Sequence, residues 1–385
     1  MLVLSSLYPP HAIGGYENAC HDVMSRWAAE GHQVTVLSSN AWVPGVLAPD
    51  PPGLGVRRQF TLLYNGPPGS AVPRRRSVPG AVVRDLRSLR RALRDVRPDV
   101  VSLWHPGGLS LALVHALARQ RVPVVSVVCD HWPVYAPGAD PTPFVGRRAA
   151  PVPGTAVFCS AALRRVIEAG TGRQFPESRV VWLGVDHATF PVESPAGVRP
   201  WRWRLLYAGR LSPEKGVPTA VRALALLPPE ATLDLVGWGD ARIRTDLEIL
   251  AASLGVGERV TITTRSRAEL PTCYRQADAL LFPSEWEEPF GIVPLEAMAV
   301  GTPVVATGAG GSGEYLRNRE NCLLYPPGDA SALAMAVRTL QRDPALRSAI
   351  VSGGTATAAA VSTDRLAAEL LIVHTDAAGV PSSRV

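Results

Sequence analysis

The 385-residue sequence contains no apolar run of about 18 residues or more, so no segment is expected to span a membrane. Cysteine is scarce. Cys20, Cys129, Cys159, Cys273 and Cys322 are scattered, odd in number and without a Cys-x-x-Cys pair, which argues against a disulfide scaffold and a zinc module and for reduced thiols in a cytoplasm. No P-loop, zinc spacing or RNA-binding signature occurs. There is also no Asp-x-Asp pair, the carboxylate couple that would hold a diphosphate through a metal, so a metal-free chemistry is expected. The start, MLVLSSLYPP, lacks the basic leader and full apolar core of a secretory signal and reads as a first strand.

What is present is the composition of a soluble globular protein, 46% hydrophobic and 19% charged. The net charge of +6 is mostly arginine in a chain also rich in proline and alanine, so base composition explains it without a nucleic-acid partner. The length exceeds what one ordinary core fills, and two domains are expected.

Short apolar runs alternate with helical patterns along the chain. Leu2–Leu4, Val34–Leu37, a weak strand near Val56–Leu63, Asp99–Trp104, Val122–Val128, Thr155–Cys159 and Arg179–Trp182 form a first series. Pro44–Gly80 otherwise reads as loops, and Val192–Pro200 as a proline-rich linker. Leu205–Ala208, Leu233–Val236, Val260–Thr263, Ala277–Phe282, Pro303–Ala306 and Asn321–Pro327 form a second series, followed by helical pattern to the end, including one Ala-rich helix from Thr355 to about His374. Alternating strands and helices imply α/β architecture with doubly wound parallel sheets, whose ligands sit beyond the carboxyl ends of the strands. Between Ala81 and Val96 the apolar residues keep a helical period while Arg84, Arg87, Arg91 and Arg94 lie opposite. This basic side could meet an anionic membrane. It lacks the aromatic anchors of an inserting helix, so a solvated face is favoured.

One stretch concentrates the chemistry: PSEWEEPFGIVPLEAMAVGTPVVATGAGGSGEY, Pro283 to Tyr315. A strand ends at Pro283, and a helix is expected from about Gly291 to Val300. Glu288 falls in the loop ahead of it and Glu296 more than one turn inside. The two carboxylates would lie on the order of 10 Å apart with the helix N-terminus between them. The amides of Phe290, Gly291 and Ile292, lacking intrahelical partners, are placed to meet a phosphate. Taken alone, the pair is equally a helix-start charge and a solvated helix residue.

Other candidates occupy comparable turns. Arg210 and Lys215, in GRLSPEKG, bracket a strand-to-helix turn and could clamp a pyrophosphate, or be surface charges. Gly14-Gly15 would let backbone amides approach an anion or a sugar, or would simply make a tight turn. Gly237 sits in a second glycine turn after a strand. His105, Asp130 and His131 fall at strand ends, where each histidine is either a site residue or a packed one.

The string EPFG, then LEAMAVGTPVVAT, then a Gly-rich loop ending in Glu314, resembles the Glu-x7-Glu signature of the retaining, two-domain family 4 glycosyltransferases. PPHAIGGYENACHDVMSRWAAEGHQVTVLSS is similar to that family's opening unit, and GRLSPEKG to its diphosphate-binding segment. The resemblance implies two Rossmann-like domains of the GT-B type facing a cleft, an acceptor-binding one at 1–190 and a nucleotide-sugar-binding one at 191–355. A C-terminal helix, 356–376, would cross back to the first domain, leaving a tail at 377–385. It further implies a cytoplasmic transferase that moves a sugar with retention from a nucleoside-diphosphate sugar to a small-molecule acceptor, with no metal or other cofactor. Arg210 and Lys215 would hold the leaving diphosphate, Glu288 the transferring sugar, Glu296 the ribose, and the Gly14-Gly15 loop would face the cleft. The chain departs from the family at Cys129, where a histidine is common. Asp130 matches, and His131 would cover the missing imidazole. A nicotinamide dehydrogenase is disfavoured, since no Gly-x-Gly-x-x-Gly follows the first strand. An inactive or regulatory sugar-nucleotide-binding protein and an epimerase are the remaining alternatives.

Overall fold

The computed structural model describes residues 1–12, 14–42, 53–64, 75–142, 150–193 and 199–379. The loops expected over Pro44–Gly80, the linker at Val192–Pro200 and the tail after Ala377 fall wholly or partly outside the described residues. The chain divides into two compact units, Met1–Trp182 with Thr363–Val385, and Leu183–Ser362.

In the first unit the strands are β1 (Leu2–Ser5), β2 (Thr35–Ser39), β3 (Gly55–Phe60), β4 (Val101–His105), β5 (Val124–Val128), β6 (Thr155–Phe158) and β7 (Arg179–Val180). Helices α1 (Gly15–Ala29), α2 (Val78–Val96), α3 (Leu111–Leu117), α4 (Trp132–Ala139) and α5 (Ala161–Thr171) lie between them. The sheet order is β3-β2-β1-β4-β5-β6-β7, and neighbouring strands are parallel, with Leu2 facing Thr35 on one side and Val101 on the other. Strands covered on both faces need apolar side chains at successive positions, which is why LVLS and VVSVV are buried throughout. On α2, Val82 and Leu89 are buried while Arg84, Arg87, Arg90, Arg91 and Arg94 are exposed.

The second unit repeats the plan with β8 (Arg204–Ala208), β9 (Thr232–Val236), β10 (Val260–Thr263), β11 (Ala279–Phe282), β12 (Val304–Ala306) and β13 (Leu323–Leu324) in the order β10-β9-β8-β11-β12-β13. Its helices are α6 (Val217–Ala225), α7 (Ala241–Ser253), α8 (Leu270–Gln276), α9 (Ile292–Ala299), α10 (Ala330–Arg342) and α11 (Pro344–Ala360). Leu205, Leu233, Leu235, Leu281 and Val305 from the sheet pack with Val221, Leu333, Val337 and Ile350 from the helices. The sheet order reverses direction between β8 and β11, so the loops after these strands are where a ligand is expected.

The single helix expected from Thr355 to His374 is two. The chain breaks at Val361 and Ser362, where the Val361 carbonyl accepts from the Val185 amide and Ser362 bridges to Val185. A short strand-like pairing replaces helical hydrogen bonds there, and α12 (Thr363–Ala378) starts anew and returns to the first unit. Trp27 on α1 donates from its indole nitrogen to the Ala367 carbonyl at 3.1 Å, and its ring meets His374 edge-on at 5.0 Å. His374 is 1% exposed, with Nδ1 2.6 Å from the Leu370 carbonyl and Nε2 2.8 Å from the Ser102 hydroxyl. A carbonyl can only accept, so Nδ1–H donates to it, and in the neutral ring that burial favours Nε2 accepts from Ser102. No helix among the described residues is long and apolar enough to cross a membrane.

Burial pushes the His374 imidazole down to about 4, against the opposing pull of the Leu370 carbonyl. The unfolded chain therefore takes up this proton first. The stability due to a neutral His374 is full above the ordinary value of 6.5 and is lost as pH falls towards 4, by ~3 kcal/mol in all. Thermal unfolding between pH 7 and pH 4 should show the decline, and His374→Asn should flatten it. An equally steep acid limb in the variant would assign the effect elsewhere.

Candidate active site

In the second unit three loops meet beyond the carboxyl ends of β8, β11 and β12. The first carries Arg210 and continues into a 3-10 turn, Pro213–Lys215. Gly216 then bends the chain into α6 with φ of +67°, and a Cβ there would lie 1.8 Å from the Pro283 carbonyl oxygen. Only glycine satisfies both demands. That approach, with the Glu285 amide donating to the Glu214 carbonyl at 2.9 Å, lays the first loop on the second.

The outcome is an ion pair. Lys215 Nζ donates to both carboxylate oxygens of Glu288, at 2.7 and 2.8 Å, and lies 4.9 Å from the centre of the Trp286 ring. Glu288 is only 3% exposed, and the Lys215 side chain 18%. The third loop closes over the carboxylate residue, the Gly311 amide donating to the Glu288 carbonyl at 2.6 Å. Lys215 is also the one lysine in a chain that otherwise uses arginine as its cation.

Arg210 does not join this pair. It is half exposed and bridges to Glu214 at 3.2 Å, and its carbonyl accepts from the buried Tyr207 phenol at 2.5 Å. Glu296 projects from the second turn of α9, largely buried, and Tyr274 donates its phenolic proton to it at 3.0 Å. Ahead of α9, Gly291 is the N-cap, and no side chain caps the helix. The Gly291 and Ile292 amides have no hydrogen-bond partner among the described residues. Phe290 is buried against the Tyr315 ring, 5.4 Å away, and the Tyr315 hydroxyl donates to the Gly291 carbonyl. The hydroxyl of Ser284, buried at the start of the same loop, lacks a partner among the described residues. Gly237 passes over the Gly209 carbonyl, which a Cβ there would meet at 1.7 Å, and gives its amide to Thr263 at 2.8 Å.

In the first unit a polar centre forms at the ends of β1, β4 and β5. Asp130 Oδ2 lies 3.0 Å from His105 Nε2 and accepts from the Tyr135 hydroxyl at 3.0 Å, while its Oδ1 accepts from the Trp132 amide at 3.2 Å. Burial alone would raise this carboxyl. The adjacent His105 ring and the bonds from His105, Trp132 and Tyr135 outweigh it and hold Asp130 below the ordinary carboxylate range. Across the ring, His105 Nδ1 lies 2.7 Å from Ser6 Oγ and 2.6 Å from the Tyr16 hydroxyl. Gly14 is the N-cap of α1 and Gly15 its first residue. The structure thus sets His105, not His131, against Asp130. His131 caps α4 through its carbonyl, which accepts from Val134 and Tyr135.

Sequence reasoning placed Lys215 and Glu288 in separate motifs and missed their contact, since 73 positions separate them. It also missed Tyr274, Tyr135 and Tyr16. For Tyr16 the adjoining Gly-Gly was a signal; for the other two no spacing pattern exists.

Residues 13–189 match the model of Glycosyltransferase Family 4, and residues 197–356 that of Glycosyl transferases group 1. Glycogen synthase of Mycobacterium tuberculosis is 31% identical over 388 residues, spanning 90% of this chain and 86% of that protein. Sucrose-phosphate synthase from Thermosynechococcus elongatus superposes with a TM-score of 0.79 at 21% identity, over 97% of this chain and 98% of its own. Anabaena HepE in complex with UDP-glucose gives 0.71 at 23% identity, over 97% and 99%. Matched along both halves, and folded as two parallel-sheet units of the GT-B type, the chain belongs to the family 4 glycosyltransferases and is a transferase enzyme.

Proposed function

We propose that the protein transfers a glycosyl group, with retention and without a metal, from a UDP-sugar to a small hydroxylated acceptor such as a natural product or a cell-envelope precursor. The observation that carries this reading is the Lys215–Glu288 pair at the strand-order reversal of the second unit, beside an uncapped helix N-terminus. The uridine choice is supported by the shared fold with HepE, whose structure holds UDP-glucose. Five cysteines, none of them in a disulfide, suit a cytoplasmic setting.

In this mechanism the diphosphate lies against the Gly291 and Ile292 amides, which have no partner among the described residues and carry the positive end of the α9 dipole. Lys215 and Arg210 supply the cations that neutralise charge growing on the departing phosphate. Glu288 accepts from hydroxyls of the transferring sugar. It is held ready by Lys215 and the Gly311 amide, so it does not reorganise when donor arrives. Glu296, oriented by the Tyr274 phenol, accepts from the ribose. Departure and attack take place on the same face of the sugar, which gives retention. Asp130 is the acceptor-side carboxylate.

Three measurements test this. Glu296→Ala should weaken bare UDP and UDP-sugar alike, by ~1.5–3 kcal/mol or about ten- to a hundredfold in Kd. Glu288→Gln, which leaves Lys215 free for phosphate, should bind UDP as well or better while transfer falls about a hundredfold. If calorimetry shows Glu288→Gln to be the variant that loses UDP, the ligand runs in the opposite direction and the assignment fails. EDTA should leave the initial rate intact; a loss restored by manganese or magnesium would overturn the metal-free mechanism.

An amine-directed label has only Lys215 and the N-terminal amine to modify. UDP should protect Lys215 from it. Lys215→Arg should lower kcat/KM although the charge is retained, because a planar guanidinium cannot replace a compact ammonium between a carboxylate and a phosphate. Labelling of Lys215 at an undiminished rate under saturating UDP would remove it from the diphosphate site.

A further inference from the structure

The positive charge of the chain is not spread evenly. Between positions 84 and 97 stand six arginines and two aspartates, so four of the six net positive charges fall within fourteen residues. Arginine favoured by base composition alone would be scattered. The structure also turns this charge to one side. Arg84, Arg87, Arg90, Arg91 and Arg94 on α2, and Arg97 at its C-cap, are all exposed, at the three- and four-residue spacing that shares a helix face. The two acids do little to cancel them. Asp85 points inward, where its carboxylate accepts from the Thr61 amide at 2.9 Å and from the Thr61 hydroxyl at 3.3 Å. Asp95 meets Arg91 at 3.6 Å, in a contact whose side chains are 79% exposed for Arg91 and 46% for Asp95. Arg84 donates to the Thr61 hydroxyl at 3.0 Å, while Arg87, Arg90, Arg94 and Arg97 have no partner among the described residues.

The opposite side of α2 is already in use. Val78, Ala81 and Val82 pack with Leu63 and with Ala112 of α3, and Leu89 and Ala92 are buried as well. A helix fastened along one side cannot sink into the groove of a nucleic-acid duplex, nor can it turn its apolar stripe into hydrocarbon. It can lie on a plane. From Arg84 to Arg97 the row is about 20 Å long, and a straight helix holds such a row at one depth. The planar forks of arginine match the paired oxygens of a phosphodiester. The missing aromatic anchors bear on insertion, and adsorption by charge needs none.

We propose that the outer face of α2 is a docking surface for an anionic phospholipid bilayer, held at the headgroups by charge and without insertion. Each arginine that reaches the headgroup layer strengthens partition about fivefold, so the row acts together and no single member decides it. The attraction is screened by salt, which makes the docking reversible. This inference stands apart from the glycosyl-transfer reading, since it holds whatever the second unit transfers.

The test sediments the full chain with vesicles of phosphatidylglycerol and phosphatidylcholine in equal parts, beside vesicles of phosphatidylcholine alone. At about 50 mM NaCl the protein should go down with the anionic vesicles only, and about 500 mM NaCl should release it. Arg87→Gln, Arg90→Gln and Arg94→Gln together should weaken partition about a hundredfold, with melting temperature and UDP Kd unchanged. Arg202→Gln, Arg222→Gln and Arg242→Gln together remove the same charge from exposed positions of the second unit and should leave partition nearly unchanged. Failure of the wild-type chain to sediment with anionic vesicles overturns the proposal, and so does an equal loss in the two triple variants. Duplex DNA that strips the protein from the vesicles at equal phosphate concentration assigns the face to a soluble polyanion and overturns it too.

Discussion

A cation and a carboxylate lifted out of water each lose hydration worth several kcal/mol, and close pairing is what offsets that loss. The Lys215–Glu288 contact meets this condition with two hydrogen bonds and a nearly buried carboxylate, and the surrounding loops are shaped to bring it about. Gly216 allows the β8 loop to touch the β11 loop, the Glu285 amide clips the two together, and the β12 loop holds the Glu288 backbone from the other side. Removing either partner alone would strand a buried charge. The pair is thus a poor candidate for chance and a sound base for a site, because a donor's diphosphate can share the ammonium without any charge having to be moved into place.

The choice of lysine follows from the same geometry. Arginine makes up the rest of the 39 basic residues and suits exposed faces such as α2, where planar forks find water and the occasional acid. At Glu288 the cation faces a carboxylate and an aromatic ring, and on the proposed reading an incoming phosphate, from one point. A compact ammonium with three rotatable donors does so; a planar guanidinium does not.

Much of the fold could be read from the sequence because parallel strands covered on both faces demand unbroken apolar runs, and loops between βα units demand glycine and proline. Runs such as VVSVV and ALLF carry that signal within five residues. The break at Val361–Ser362 left no such mark, since it depends on Val185, far away in the chain. The site divides along the same line. Glu288, Glu296, Arg210 and Lys215 lie in local motifs and were legible there. Which of them touch is settled by glycines that bring separate loops together, and the partner of Asp130 is settled by strand order: β4 lies next to β5, so His105 reaches across where His131, turned into the cap of α4, does not.

Both units solve one further problem alike. A carboxylate meant for a ligand's hydroxyl must be held still without being neutralised by a competing cation. Tyr274 donates one hydrogen bond to Glu296, and Tyr135, together with the His105 ring, holds Asp130. Burial raises the Tyr274 phenol well above its ordinary value, so it remains a neutral donor across any working pH. A phenol occupies one lone pair, leaves the charge in place and fixes the rotamer through the packing of its ring. An arginine in the same position would bind both oxygens and close the site. Glu288 is held by the ammonium of Lys215, and on the proposed reading it is the carboxylate beside which a second anion, the diphosphate, lies. On the proposed reading the holding group follows the ligand at Glu288, where a lysine can meet a phosphate as well as the carboxylate.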